Sequence, residues 1–221
     1  MTPSNENTIA LFKGHSRTDP STLVMHSQRY SLRELSHAYY ESAQTIASRF
    51  DGSALSDIFL LPYLFLIRQA FELLLKDGIF TLKELHIEHF RANPEELYGN
   101  TSPAEYLRII GHDLKKLVKT FKKDFSSFNF PEKFPTEIET VVLLLHHADK
   151  SGTEFRYGTQ PQEYPAYIDS KSLCSELHNQ FHKLELVIDY AHGTCSYLPT
   201  DRYKKPDSDK PIKEALIDED E

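Results

Sequence analysis

The chain has 221 residues, of which 39% are hydrophobic and 26% charged, and its formal net charge is −8. That fits one generous domain, or one domain with a tail, and argues against a protein coated in positive charge. Two cysteines, Cys174 and Cys195, make no disulfide framework.

The first residues, MTPSNENTIALFKGH, lack the basic-then-apolar layout of a secretion signal. The longest apolar run, IFLLPYLFLI, is about half of what a bilayer span needs. A soluble cytoplasmic protein without a membrane partner is the expectation. Residues 1–30 read as an irregular arm, 31–197 as a helical domain, and 198–221 as a charged, Pro-containing tail that is disordered or ordered by a partner.

Helical periodicity dominates, and alternating strand patterns are scarce. SLRELSHAYYESAQTIASRF opens on Ser31 with Glu34 three residues later, a capping box. Leu32, Leu35, Tyr39, Ala43 and Ile46 form its expected inward face, and Asp51-Gly52 its end. SDIFLLPYLFLIRQAFELLLKDG is apolar nearly all round and predicts the central helix of a bundle, with Pro62 near its start or at a kink. FTLKELHIEHF then predicts a short separate helix, and RANPEELYGN a loop.

Ser102, Pro103 and Glu105 mark another helix start, and Gly111 divides that segment so that a longer helix begins near His112. TEIETVVLLLHHA turns Ile138, Val141, Val142 and Leu145 inward. SKSLCSELHNQFHKLELVIDYAH does the same with Leu173, Leu177, Phe181, Leu184 and Val187 or Ile188. The predicted fold is an all-α bundle of about five main helices.

Arg68, Glu72 and Lys76 recur every fourth residue along the most apolar helix, so they share one row. Isolated charges there are costly, which predicts pairing within the helix or across the bundle. The partners expected for this polar seam are His112 and Asp113 in GHDLKKL and Arg156 in FRYG, with Asp149 either capping the turn before FRYG or joining the seam. One reading is a structural network that holds helix register. The other is a site, in which His112 is an acid or base, Arg156 and Arg68 bind an anion, Glu72 holds the cations, and Tyr157 orients a phosphate or donates a proton.

The ordered blocks RQAFELLLK (68–76), GHDLKKL (111–117) and D-x-x-G-x-x-FRYG (149–158) resemble the HEPN-type helical proteins of bacteria. The resemblance spans roughly 60–195. It implies a helical bundle that dimerises, a toxin–antitoxin, antiviral-defence or RNA-processing setting, and, in catalytic members, a metal-independent endoribonuclease with an R-x4–6-H motif. Gly158 stands where the family pattern has Pro, and Arg108 and His112 are separated by only three residues. A composite site of His112 and Arg156 is the nearest substitute for that motif. The resemblance implies RNA, a second copy of the chain and a defence or antitoxin partner protein as partners.

Lys115, Lys119 and Lys122, joined by Lys116 and Lys123, form a basic stripe that attracts phosphate backbones if it is more than a solvated face. His86/His89 and His178/His182 have two-ligand spacings, but a zinc site needs three or four ligands; they are expected to be surface histidines. There is no Gly-rich phosphate loop, and no cofactor or metal is expected. Besides ribonuclease chemistry, a non-catalytic binding module and an anionic-ligand sensor fit the same residues.

Overall fold

The computed structural model describes residues 30–53, 56–157 and 168–197. The arm 1–29 and the tail 198–221 lie outside the described residues, as do the expectations that fall on them. The chain divides into two units between Tyr30 and Ser31, and every helix described below belongs to the second.

Helix α1 (Leu32–Ala47) starts on the expected capping box: the Ser31 hydroxyl accepts from the Glu34 N–H, and the Glu34 carboxylate accepts from the Ser31 N–H at 2.7 Å. Its buried residues are the predicted Ala43 with Ser36 and Tyr40, while the predicted Tyr39 and Ile46 are partly buried. Small side chains let α1 approach closely, and the Ser36 hydroxyl donates to the Ala70 carbonyl at 2.8 Å, so burial leaves no polar atom orphaned there. Tyr40 stacks on Phe181, with ring centres 4.3 Å apart.

A 3-10 turn, Asp57–Phe59, leads into α2 (Leu60–Phe90), 31 residues or about 46 Å long. Pro62 sits in its first turn, where a missing N–H breaks no helical bond. The segment predicted as a separate helix is a continuation of α2, because Gly78 does not end it. A Cβ on Gly78 would lie 2.4 Å from Phe121 Cε2 and 2.9 Å from Ile188 Cδ1. The glycine is there for close packing, and the helix stops instead at Arg91 in the left-handed region, φ 53°.

The stretch predicted as a loop holds α3 (Pro94–Tyr98), capped by Asn93 with proline at its start. Helix α4 (Pro103–Ile110) has the predicted Ser102 cap and ends at Gly111, φ 74°. Helix α5 (Leu114–Ser127) is capped by Asp113, whose carboxylate accepts from the Lys116 N–H at 3.0 Å. Helix α6 (Thr136–Ala148) buries the four predicted residues. After α7 (Glu154–Tyr157), helix α8 (Ser170–Tyr197) buries Leu177, Phe181, Leu184 and Ile188, while Leu173 and Val187 are partly buried.

The fold is all-α; among the described residues no strand occurs, and α1, α2, α5, α6 and α8 are the long helices. Helix α2 is central and touches α1, α5, α7 and α8, while α6 closes against α5 and α8. The stretch Asp57–Phe90 is long and apolar enough to cross a membrane, and half of its most apolar window is buried inside the fold. Its position in the bundle core, with buried Arg68, Glu72 and Lys76, accounts for that apolarity.

Candidate functional site

The four-residue spacing on α2 brings Arg68, Glu72 and Lys76 together as predicted. Glu72 takes one cation on each carboxylate oxygen: Arg68 Nη1 donates to Oε2 at 3.1 Å and Lys76 Nζ to Oε1 at 2.9 Å. The Arg68 side chain is 0% exposed and that of Glu72 2%. Arg68 has a second carboxylate nearby, with Asp149 Oδ2 3.6 Å from Nε, and Nε also donates to the Asp149 carbonyl at 3.2 Å. Two buried cations therefore meet two buried carboxylates, which is how such a row escapes the penalty of unpaired charge.

Asp149 does both things expected of it. Its Oδ2 faces Arg68, and its Oδ1 accepts from the Glu154 N–H at 3.1 Å and so caps the turn into α7. Gly152, φ 76°, lies against the guanidinium. Sequence reading missed the contact of Gly152 with Arg68; the D-x-x-G spacing is its only trace in the chain.

His112 joins the network from the α4–α5 connection. Its Nδ1 lies 2.7 Å from Glu72 Oε1, and its carbonyl accepts from Arg68 Nη2 at 2.8 Å. The imidazole is nonetheless 73% exposed. Burial by itself pushes the Glu72 carboxyl upward; Lys76 and then His112 outweigh it and hold the group below the usual carboxylate range. Asp113 approaches His146 of α6, with Nδ1 3.5 Å from Oδ1, and burial holds His146 below the usual histidine range despite Asp113.

Three expectations about this site need correction. Arg156 does not enter the seam: it is exposed, and its guanidinium carbon lies 4.8 Å from the centre of the Phe65 ring, a cation–π contact. Among the described residues it forms no ion pair, and the place assigned to it is taken by Asp149 and Gly152. Arg68 is buried with its donors engaged by Glu72, Asp149 and His112, so it cannot clamp a substrate anion. Lys122 turns to Glu139 at 2.6 Å and leaves the basic stripe to Lys115, Lys116, Lys119 and Lys123, all exposed. The Tyr157 side chain lies outside the described residues.

The histidine pairs divide. His86 is buried, not superficial: Nε2 is 2.8 Å from Ser127 Oγ, its ring packs on Phe128, and burial, with Lys83 nearby, pushes it down to about 4. His178 is exposed and His182 partly so. Among the described residues no group of three or more His, Cys, Asp or Glu side chains is placed to hold a metal ion.

Sequence reading also missed a third buried cation on α2. Lys83 Nζ lies 3.3 Å from Asp124 Oδ2, donates to the Leu97 carbonyl at 3.0 Å and sits 4.6 Å from the centre of the Tyr106 ring. It ties α3 and α4 to α2 and α5, and so anchors the segment that delivers His112. Two surface clefts, one lined by Arg33, Asp77 and Asp189 and the other by Glu84, Tyr98 and Pro103, include none of Arg68, Glu72 or His112.

The chain matches no protein-family model, no curated protein and no solved structure. Fold and site thus define a class in physical terms alone. It is an all-α bundle whose core helix carries a charge-paired network that reaches solvent at one imidazole.

Proposed function

We propose that this chain is a HEPN-like, RNA-directed protein, a metal-independent endoribonuclease whose acid–base group is His112. The observation that supports this reading is the Glu72–His112 pair. A buried carboxylate, fixed by two cations, holds Nδ1 of an imidazole that is otherwise open to solvent. A network serving register alone has no need of an exposed histidine at its end. RNA cleavage without a metal requires a base for the 2′-hydroxyl and cations against the charge that develops on phosphorus.

The exposed lysines begin one turn beyond His112. Lys115, Lys116, Lys119 and Lys123 provide a track for a phosphate backbone that leads to the imidazole. The resemblance of the three sequence blocks supports the rest of the proposal: a homodimer, a partner protein, and a defence or toxin–antitoxin setting. A cytoplasmic location rests on composition.

One observation favours a second reading, a non-catalytic RNA-binding or accessory module. With Arg68 engaged and Arg156 on Phe65, His112 is the one acid–base group that the described network presents to solvent. The two readings separate in one set of measurements. An enzyme breaks down RNA in EDTA and loses that activity in His112→Ala, which stays folded because the removed imidazole is mostly exposed. A binding module leaves RNA intact, yet binds it with a salt dependence that falls by about 2 in slope when Lys115, Lys119 and Lys123 become glutamine. RNA that is neither cut nor bound overturns both.

A further inference from the structure

We propose that Arg68 is a positioning residue for His112 and that Gly152 is the surface that keeps Arg68 in place, so that a buried guanidinium determines which nitrogen of an exposed imidazole carries the proton. The inference rests on the assignment of His112 as the acid–base group and deepens it.

His112 sits on a connection, between Gly111 at φ 74° and the helix cap Asp113, where a largely exposed ring would otherwise swing freely. Arg68 holds it at two points. Nη2 donates to the His112 carbonyl at 2.8 Å and fixes the backbone. Nη1 donates to Glu72 Oε2 at 3.1 Å and orients the carboxylate whose other oxygen meets His112 Nδ1 at 2.7 Å. Guanidinium, carboxylate, imidazole and main chain form a closed ring of contacts.

The ring has a chemical consequence. An ionised carboxylate only accepts hydrogen bonds, so Nδ1 must carry the hydrogen. In neutral His112 the lone pair is then on Nε2, the nitrogen with which a base can meet substrate. A free imidazole in water prefers the opposite tautomer.

Gly152 completes the support. A Cβ there would lie 3.1 Å from Arg68 Nη1 and 3.3 Å from both Cζ and Nη2. The turn thus lies directly against the guanidinium while Asp149 accepts from Nε. Lysine at position 68 cannot reproduce the fork, since an ammonium reaches a cluster of acceptors as a point charge rather than as three fixed donors.

The test is long-range proton–nitrogen NMR of the imidazoles in the full chain, with the His112 signals identified by their loss in His112→Gln. The expected wild-type result is a neutral His112 protonated on Nδ1. In Gly152→Ala and Arg68→Lys the Nε2-protonated form becomes the major one, and RNA cleavage falls about 100-fold, the scale of a lost acid–base group. Gly152→Ala alters no charge, and either variant suffices if the other fails to fold. A wild-type His112 protonated mainly on Nε2 overturns the inference outright, with no variant needed. Folded variants that keep both the Nδ1 tautomer and cleavage overturn it while leaving His112 as the catalytic group. A tautomer that shifts as expected in a protein that does not cut RNA upholds the positioning and refutes the proposed activity.

Discussion

Replacing Glu72 with glutamine keeps the shape of the side chain and removes its charge, which tests whether the buried network is held by electrostatics. Arg68 keeps Asp149 and two carbonyl acceptors, whereas Lys76 loses its carboxylate in a nearly buried site. Removing one partner of a buried pair costs about 3–5 kcal/mol, and with an amide oxygen still accepting, the lower end applies, ~3 kcal/mol. For a helical domain of this size that corresponds to a fall in melting temperature of about 6–12 °C. Urea unfolding followed by circular dichroism at neutral pH measures it.

The pH dependence adds a check of sign. The Glu72 carboxyl lies below its ordinary value in the folded chain, so as pH falls the unfolded chain takes up the proton first. Its stabilisation is present above the ordinary glutamate range and is lost as pH falls through the depressed folded value. The gap between wild type and Glu72→Gln therefore narrows in acid. In Glu72→Gln/Lys76→Met part of the loss returns, because the stranded ammonium is gone. A Glu72→Gln protein within about 1 kcal/mol of wild type at neutral pH, with a gap that does not depend on pH, would refute the electrostatic account.

Two other outcomes follow from packing and burial. Gly78→Ala drives a methyl into Phe121 and Ile188, and overpacking at this α2–α5–α8 contact costs about 1–3 kcal/mol in chemical denaturation. His86 is held neutral down to about 4, so acid protonates the unfolded chain before the folded one, and stability drains away between about pH 6.5 and 4, by roughly 2–3 kcal/mol. His86→Leu flattens that part of the pH–stability curve; a curve unchanged by the substitution would place the acid sensitivity elsewhere.

Much of the local structure could be read in the chain because local chemistry decides it. Ser31 with Glu34 and Ser102 with Pro103 are caps, formed by residues within one turn of each other, and both helices begin where the cap stands, whereas Asp113, read as a partner of the seam, proves to be a cap. The inward residues of α6 follow from an apolar stripe that has only one side to bury. Errors arose where a neighbour outside the segment was in control. The segment after Gly78 reads as a separate helix, but Phe121 and Ile188 pack against that glycine within one continuous α2; the α1 face reads as Leu32, Leu35 and Tyr39 together with Ala43, but close approach to α2 buries Ser36 and Tyr40 beside the predicted Ala43.

The candidate site divides along the same line. The four-residue spacing of Arg68, Glu72 and Lys76 is a property of one helix, so their pairing was available from residue order. Which distant residue completes the network depended on how a turn and a connection lie against α2. Arg156 and Asp149 stand only seven positions apart in sequence, yet one stacks on Phe65 in solvent and the other meets Arg68 in the interior. Residue type alone could not choose between them, because the choice was made by the space beside a guanidinium, which admits a carboxylate and a glycine turn and leaves a second long cation outside.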